Sequence, residues 1–401
     1  AVDRETLDVA REIVDDVRAR GEAALREHAE RLGDIDTGEP LFLSRSALSE
    51  ARDALEPDTL ALLERTADRI RRFALAQRAS LTEVVVDVPG GAAGHSIAPV
   101  ERAGCYAPGG RFPLPSTALM TAVTARVAGV REVWVASPRP SPVTLAAAAV
   151  AEVDGLLAAG GAQAIAALAY GAGPLEGCDA VVGPGNRFVT GAKQLVAGHV
   201  AIDMLAGPSE LVVLADEGAD PAVVAADLLA QAEHDPEALP VLVTTSADLV
   251  AAVDEQLAAQ LEGLPTRGTA ERSLEGGFAV VAGDLDEAAT VCDALAPEHL
   301  EVHAADAEPL ARRCNHYGGL FVGELAAEVL GDYGAGPNHT LPTGGTARHA
   351  GGLSVFDFLR VRTWLRIDDR DRAAPLGRDA EELAKLEGLA AHARSAAKRR
   401  R

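Results

Sequence analysis

Short apolar strands alternate with helices along the middle of the chain, and this alternation restricts the possible folds more than any other feature. Between residues 116 and 153 the order is helix "STALMTAVTARVAGV", strand "REVWVAS" and helix "SPVTLAAAAVAEV". A similar set, "PAVVAADLLAQAEH", "PVLVTT" and "ADLVAAVDEQLAAQL", follows "AGPSELVVLAD". Strand–helix alternation with short apolar strands is typical of parallel sheets covered by helices on both faces. The sequence therefore predicts two Rossmann-like α/β units.

Changes in this pattern predict the domain boundaries. Residues 1–105 and 210–354 are predicted to form one discontinuous α/β domain, and residues 106–209 an inserted Rossmann-like domain. From residue 355 onward, "VFDFLRVRTWLRI" and the sequence after it predict a separate helical C-terminal segment. Both α/β units are predicted to be incomplete Rossmann folds. The GxGxxG fingerprint between strand and helix is absent from the sequence.

The composition excludes several classes of partner. A formal net charge of −23 over 401 residues repels nucleic acid and anionic membranes. The sequence has no apolar run of about 20 residues that would predict a membrane-spanning helix, and a charged helical N-terminus is unlike a signal peptide. Four widely spaced cysteines predict reduced, buried thiols and a cytoplasmic location. The acidic, lysine-poor composition resembles that of halophilic proteins.

One loop has the position of a phosphate-binding turn. "GPGNRF" (183–188) follows the predicted strand "DAVV" and precedes a helix, so its backbone amides could meet a phosphate at the helix N-terminus. A purely structural turn explains the same pattern. The sequence thus leaves the role of this loop open.

Histidine and carboxylate or amide side chains recur near the ends of predicted elements. Gln231 and His234 are three residues apart at the end of a helix, so they share one face, whereas Glu233 points away from it. In the loop "GDYGAGPNHTLPTGG" lie Asp332 and His339. Glycine- and proline-rich loops of this kind often carry binding residues.

Two further pairs complete the set. Glu298 and His299 are adjacent after Pro297, and so can address one site only from a loop or the start of an element. Glu387 and His392 are five residues apart, too far around one helix to align, so a helix break at Gly388 is predicted between them. Nitrogen and oxygen ligands without thiolate suit zinc or manganese. The spacing predicts a metal or acid–base site but does not show that the pairs meet.

Nine motifs occur in an order and at a spacing that resemble the histidinol dehydrogenase family, over about residues 5 to 395. They are "CYAPGG", "GGAQAIAALAYG", "VVGPGN", "DMLAGPSE", "LLAQAEHDP", "APEHLEV", "GDYGAGPNHTLPT", "GGLSVFDF" and "EGLAAH". The resemblance implies NAD-dependent oxidation of L-histidinol through L-histidinal to L-histidine, the last steps of histidine biosynthesis. It also implies one zinc ion per active site and a homodimer formed through the C-terminal segment 355–401.

The resemblance further implies roles for individual residues. The metal ligands correspond to Gln231, His234, Asp332 and, from the other protomer, His392, with Glu387 accompanying it. Glu298 and His299 correspond to the catalytic acid–base pair. Substrate contacts correspond to Ser209, Gln231, His234, His299, Glu328, Asp332, His339, Glu387 and His392. NAD contacts correspond to Tyr106, Gln163 and Asn186 in the inserted domain.

Other interpretations of these residues stay open. Glu328 and Glu387 could be exposed helix residues, Tyr106 could pack in the core, and Gln163, Asn186 and Ser209 could cap helices or turns. Two other function classes remain for the whole chain: a hydrolytic metalloenzyme in which Glu298 activates water, and a non-catalytic metal-binding protein. The hydrolase leaves the "GGAQ" and "GPGN" loops without a role, and an intact Glu298–His299 pair argues against the non-catalytic protein.

Overall fold

A computed structural model describes residues 2–109 and 113–399 of the chain. The final glycine of "CYAPGG" and the last two arginines of the basic C-terminus lie outside the described residues. Among the helices of the described part, none combines the length and the apolar character needed to cross a membrane.

Helices form the N-terminal region, cover the sheets and end the chain. In the described residues the α-helices are α1 (Arg4–Arg20), α2 (Glu22–Leu32), α3 (Arg45–Asp53), α4 (Pro57–Ser80), α5 (Pro115–Ala128), α6 (Pro142–Val150), α7 (Gly161–Tyr170), α8 (Arg187–Val196), α9 (Pro221–Ala232), α10 (Ala247–Leu261), α11 (Arg267–Leu274), α12 (Leu285–Leu295), α13 (Ala307–Ala311), α14 (Glu328–Asp332), α15 (Arg370–Leu386) and α16 (Ala390–Arg399). Short 3₁₀ helices lie at Thr346–Arg348 and Val355–Phe358.

The strands are mostly short. In chain order they are β1 (Phe42–Ser44), β2 (Val84–Val88), β3 (Gly91–Pro99), β4 (Arg102–Tyr106), β5 (Glu132–Ala136), β6 (Gly155–Leu157), β7 (Gly171–Ala172), β8 (Leu175–Glu176), β9 (Ala180–Val182), β10 (Ala201–Ile202), β11 (Glu210–Ala215), β12 (Leu239–Thr244), β13 (Phe278–Val281), β14 (His299–His303), β15 (Gly319–Val322) and β16 (Leu359–Ile367).

The first sheet has six strands in the order β1-β6-β5-β4-β9-β10. All neighbouring pairs are parallel except β1 with β6. Consecutive residues of β4, from Ala103 to Tyr106, are buried, so the sheet is covered on both faces. The strand order reverses between β4 and β9, the switch point at which doubly wound sheets bind ligands beyond the carboxyl ends of their strands.

The second sheet repeats this topology with five parallel strands in the order β13-β12-β11-β14-β15. Residues Leu211 to Ala215 of β11 are buried in succession between helices, as the apolar sequence predicts. The prediction of two parallel α/β units is confirmed.

The C-terminal segment differs in part from the prediction. Helices α15 and α16 confirm its helical character, but the prediction is wrong for "LRVRTWLRI", which forms strand β16. This strand pairs antiparallel with β3 along nine residues, in the three-stranded sheet β16-β3-β2. Arg360, Arg362 and Arg366 alternate with apolar residues, and this period of two is that of a strand.

Strands from both sides of the predicted boundary at residue 105 share the first sheet. β1 and β4 join β5, β6, β9 and β10. One hydrophobic core contains residues from Ala10 to Val200 together with Leu353, Val355 and Phe358. The second sheet uses only residues 210–322. The division of the chain into domains stays a prediction.

A buried lysine holds the loop after β9. Lys193 of α8 donates from Nζ to the carbonyl of Gly183 at 2.9 Å and pairs with Asp203, whose side chain is fully buried. Asp203 also accepts the N–H of Gly183 at 2.7 Å. At Gly183 a Cβ would lie 2.1 Å from the carbonyl oxygen of Tyr106, so only glycine fits this approach. The ion pair therefore fixes the backbone beside the switch point.

Substitution of Lys193 by methionine is expected to lower the free energy of unfolding by about 3–5 kcal/mol, because it leaves the Asp203 carboxylate buried and unpaired. Urea unfolding measures the loss. The matched control is Lys398→Met on the exposed face of α16, for which a change within about 0.5 kcal/mol is expected. Equal stability of the two variants would contradict the role assigned to the buried pair.

Candidate active site

Acidic, histidine and amide side chains converge at the edge of the second sheet where its parallel strands begin. We call seven of them the His299 cluster: Gln231, His234, Glu298, His299, Glu328, Asp332 and His339. Helix α9 connects the parallel strands β11 and β12 and so runs opposite to them, which brings its C-terminus to the edge where β14 begins. The cluster therefore lies at the edge opposite to the one at which doubly wound sheets usually bind ligands.

Three side chains offer a set of metal ligands. Nε2 of His234 lies 3.9 Å from Oε1 of Glu328 and 3.8 Å from Oδ2 of Asp332. One ligand atom from each residue falls within 4.8 Å of the other two. An imidazole and two carboxylates are donors that bind zinc or manganese. The described residues therefore fit a zinc or manganese ion, with His234 at the more exposed side. Two of the three donors, His234 and Asp332, are predicted metal ligands, whereas Glu328 is predicted as a substrate contact.

Gln231, next to the last residue of α9, is completely buried beside these donors, and His234 lies in the turn that follows the helix. With its amide nitrogen turned toward Glu328, it donates to both carboxylate oxygens at 3.2 Å. Glu233 points elsewhere and accepts a hydrogen bond from Thr266 at 2.5 Å. The predicted separation of Gln231 and His234 from Glu233 is confirmed.

Glu298 and His299 form the buried centre of the cluster. Nδ1 of His299 lies 3.2 Å from the carbonyl oxygen of Glu210, and this contact favours the tautomer with hydrogen on Nδ1. Its Nε2 is buried without a hydrogen-bond partner among the described residues, and lies 3.8 Å from Oδ1 of Asp332. Burial lowers the pKa of His299 to about 3. The imidazole is therefore neutral near pH 7, with one nitrogen free to accept a proton.

Burial also acts on the carboxyl groups. It raises the pKa of Glu298 well above its ordinary range, and the charges of Asp332 and Glu210 add to the effect. The N–H of Glu210, which donates to Glu298 at 3.1 Å, and the hydroxyl of Ser209 oppose it. The pKa of Asp332 rises to about 6, mainly through burial. Shifts of this kind are common where carboxyl groups act in proton transfer or bind cations.

Glu328 is buried in the same place. Burial raises its pKa well above the ordinary range, and the neighbouring carboxylates, first Asp332 and then Glu298, raise it further. The interpretation of Glu328 as an exposed helix residue is wrong, because only 4% of it is exposed.

His339 links the cluster to the first sheet. Its Nδ1 lies 3.0 Å from the carbonyl oxygen of Asp332, and its Nε2 lies 3.1 Å from the hydroxyl of Thr117 on α5. Burial lowers the pKa of His339 to about 4, so the ring is neutral. A cavity of about 380 Å³ opens beside His299, Asp332 and His339, with Phe321 and Leu330 on its walls. The space is large enough for a small molecule.

Glu387 and His392 stand apart from the cluster. Glu387 follows the last residue of α15, Gly388 has a φ of 75°, and α16 starts at Ala390. The predicted helix break is confirmed. Both side chains are exposed, and neither forms a hydrogen bond or ion pair with the cluster among the described residues. Within one chain the cluster thus lacks the fourth predicted metal ligand.

The predicted NAD residues surround the switch point of the first sheet. The hydroxyl of Tyr106, at the end of β4, accepts the N–H of Gly161 at 3.2 Å, and burial raises the pKa of this phenol to about 12. Gln163 donates from Nε2 to Asp34 at 2.7 Å, and its buried Oε1 has no hydrogen-bond partner among the described residues. Asn186 caps α8 through the N–H groups of residues 188 and 189. A nucleotide role for the three stays a prediction.

Several residues beside the His299 cluster were not predicted from the sequence. Glu301 follows His299 by two residues on β14, and Asp227 precedes Gln231 by four on α9, so each shares a face with a predicted site residue. That spacing was the available signal. The Glu210 carbonyl and Thr117 could not be found in this way, because a backbone contact and a contact between distant segments leave no periodic pattern.

The chain resembles known proteins along nearly its whole length. A sequence profile described as histidinol dehydrogenase matches residues 2–400. A protein of that name from Thermus thermophilus is 44% identical over 389 residues, covering 97% of this chain and 93% of the relative. Another from Parasynechococcus marenigrum is 46% identical over 392 residues, covering 96% and 88%. The crystal structure of histidinol dehydrogenase from Elizabethkingia anophelis has a TM-score of 0.92 to this chain at 30% identity, covering 100% of this chain and 92% of that one.

Proposed function

The chain belongs to the histidinol dehydrogenase family, and from this premise we propose that it oxidises L-histidinol through L-histidinal to L-histidine with zinc and NAD. These are the final steps of histidine biosynthesis, and we propose that they take place in the cytoplasm. The observation that carries the proposal is the His299 cluster, in which a neutral histidine with a free nitrogen lies beside metal-binding side chains and a cavity.

Substrate binding is assigned to the polar wall of the cluster. Gln231, His234 and Asp332 would hold the zinc ion, which when bound supplies a template for the amine and imidazole of histidinol. Glu328 lies within the same group of contacts and would accept hydrogen bonds from the substrate's N–H groups. His339 is assigned a further substrate contact, in which a substrate N–H would take the place of the Thr117 hydroxyl at Nε2. Ser209, beside Glu298, is assigned a further hydrogen bond to the substrate.

His299 is assigned the role of general base for both oxidations. Hydrogen on Nδ1, directed at the Glu210 carbonyl, leaves Nε2 as the acceptor for the alcohol proton while hydride passes to NAD. Burial lowers the pKa of His299 and so keeps the imidazole unprotonated near pH 7, with Nε2 available as the acceptor.

Glu298 is assigned to the hydration of the aldehyde. Its carboxylate would take a proton from the water that attacks histidinal, and the resulting hydrate would then lose the second hydride. The raised pKa of Glu298 makes the group a stronger base than a carboxylate in water. The N–H of Glu210 fixes one of its oxygens and thereby its orientation.

NAD is assigned to the switch point of the first sheet, where Tyr106, Gln163 and Asn186 lie. The strand order supports this position, because ligands of doubly wound sheets bind beyond the carboxyl ends of the strands at such a reversal. His339 and Thr117 connect α5, which follows β4, with the His299 cluster. This contact brings the two proposed sites next to each other.

A second copy of the chain is assigned to complete the site. The C-terminal helices expose the apolar side chains of Leu383, Leu386 and Leu389, with Leu386 86% exposed, close in sequence to His392. Apolar side chains exposed to this extent support an interface. In the homodimer, His392 of one protomer would be the fourth metal ligand of the other, accompanied by Glu387.

The proposal is tested by following NADH at 340 nm with histidinol and NAD before and after chelation. Activity is expected to fall to the background rate on removal of the metal and to return with added zinc, because the donors then regain the template for the substrate. Absence of NADH with the untreated enzyme, or NADH formation that is insensitive to complete metal removal, would contradict the proposal. A hydrolytic metalloenzyme would form no NADH at all.

Mixing of two inactive variants tests the shared site. His392→Asn and His299→Asn homodimers are each expected to be inactive, whereas their mixed dimer contains one intact site. After unfolding and refolding together in equal amounts, random pairing predicts about one quarter of the wild-type activity. The control is the same treatment of either variant alone. No recovery in mixtures shown to contain mixed dimers would rule out a site completed by His392.

A further inference from the structure

A second group of buried ionisable side chains lies deeper along the same strand. We call Asp227, Glu301 and His303 the Asp227 cluster. Glu301 and His303 follow His299 at steps of two residues on β14, so all three share one face of the strand. Asp227 lies one helical turn before Gln231 on α9 and faces them. The cluster therefore adjoins the His299 cluster without sharing a residue with it.

The side chains of the Asp227 cluster contain buried polar atoms without partners. Both ring nitrogens of His303, Oε2 of Glu301 and Oδ2 of Asp227 make no hydrogen bond among the described residues. The side chains of His303 and Glu301 are completely buried, and that of Asp227 is 12% exposed. An unsatisfied buried polar group destabilises the fold, and more so if it is charged. In a folded protein such a group calls for an explanation, and an ion bound there is one.

The unpartnered atoms face one another. Nε2 of His303 lies 3.4 Å from Oε2 of Glu301 and 3.7 Å from Oδ2 of Asp227. One ligand atom from each of the three residues lies within 4.8 Å of the others. Ligands bound tetrahedrally at zinc distances of about 2.0–2.1 Å are separated by roughly 3.4 Å. The two distances from His303 are therefore close to those between neighbouring ligands of a tetrahedral site.

The charge of the region also favours a cation. Five carboxyl side chains, those of Asp227, Glu298, Glu301, Glu328 and Asp332, lie in the two adjoining clusters. Among the described residues, no lysine or arginine forms an ion pair with any of these five carboxylates. Buried carboxylates are normally paired or bound to metal.

We propose that Asp227, Glu301 and His303 bind a divalent transition-metal cation, zinc or manganese, separate from the metal of the His299 cluster. Imidazole and carboxylate ligands suit both ions, and the ligand spacing favours zinc. The proposal goes beyond the function assigned above and does not depend on it.

The cation would position the neighbouring site. Glu328 is the first residue of α14, and its N–H donates to Oε1 of Glu301 at 2.5 Å. This leaves Oε2, the other oxygen of Glu301, without a partner among the described residues. A metal bound to Oε2 would thus connect α9, β14 and the start of α14. Glu301 is a positioning residue for Glu328, and the metal would hold it in place.

The test is the metal content of purified full-length protein, loaded during refolding with zinc or with manganese alone and measured by elemental analysis. About two equivalents per chain are expected in the wild type with zinc. His303→Asn and His234→Asn are each expected to retain about one equivalent of zinc per chain, because each removes a ligand of one cluster only. The double variant is expected to retain none. The exposed His349→Asn is the matched control and is expected to keep both. Asp227→Asn provides a second variant of the cluster, should His303→Asn fail to refold.

The proposal would be overturned if the wild type bound one equivalent of metal and His234→Asn bound none. A proton on His303 would then be the charge that neutralises the Asp227 cluster. Equal metal content of wild type and both Asp227-cluster variants would overturn it as well. The outcome is separable from that of the proposed function. Loss of one equivalent in His303→Asn supports the cation site even if histidinol is not oxidised, and turnover with a single metal supports only the function.

Discussion

Replacing His299 by asparagine is expected to lower kcat for both oxidations by about 10²–10⁴-fold, the usual contribution of a positioned general base. Asparagine can keep a hydrogen bond to the Glu210 carbonyl, which lies 3.2 Å from Nδ1, but has no nitrogen that accepts a proton in place of Nε2. Because Nε2 is proposed to serve the alcohol in the first step and the hydrate in the second, histidinol and histidinal should be affected alike. Steady-state NADH formation with each substrate measures the effect.

Metal content and folding distinguish the loss of a base from general damage. His299→Asn should bind as much zinc as the wild type, because His299 is not among the proposed ligands. The exposed His349→Asn serves as the control and should keep full activity. Wild-type rates in His299→Asn, or a defect confined to one of the two substrates, would contradict the assignment of a shared base.

Glu298→Gln is expected to separate the two oxidations. Glutamine can still accept the N–H of Glu210, which donates to Glu298 at 3.1 Å, but cannot take a proton from water. Oxidation of histidinal should therefore fall by about 10²–10⁴-fold, whereas oxidation of histidinol to histidinal should change less than about tenfold. Single-turnover measurements with each substrate separate the two halves.

The control for this prediction is Glu237→Gln, an exposed residue in the loop after α9. It removes one negative charge without touching the buried carboxylates and should leave both rates unchanged. Histidinal should accumulate with Glu298→Gln, and chromatography can identify it. Oxidation of histidinal at the wild-type rate would show that another group activates the water.

The parts of the fold that follow a regular pattern could be predicted from the sequence. Alternation of short apolar strands with helices indicated both parallel sheets, and Gly388 indicated the break between α15 and α16. A helix was predicted in place of strand β16, because the sequence after it is helical. The alternation of its arginines with apolar residues is the pattern of a strand. The extent of the first sheet was also missed, since no local signal states that β1 and β4 pair with strands beyond residue 130.

Local sequence patterns also predicted only part of the candidate site. Helical spacing placed Gln231 and His234 on one face, but only the folded chain brings them to Glu328 and Asp332, about one hundred residues later. The motif order pointed to these residues, and the buried contacts explain why they lie together. Asp227 and His303 belong to no motif, and their proximity depends on how α9 packs against β14.

The residues predicted to bind NAD show how one side chain can fit two interpretations. Asn186 caps α8 and Gln163 binds Asp34, so both have structural partners. Neither contact excludes a nucleotide, because the cap of Asn186 uses only its side-chain oxygen and the buried Oε1 of Gln163 has no partner in the described part of the chain. Their position at the switch point is what supports the NAD role.

The reaction stoichiometry tests the central claim most directly. Purified zinc-loaded enzyme is incubated with limiting histidinol and excess NAD until absorbance at 340 nm stops rising, and the products are then separated by chromatography. We expect two NADH and one histidine for each histidinol consumed. One NADH with histidinal as the final product, or consumption of histidinol without NADH, would contradict it.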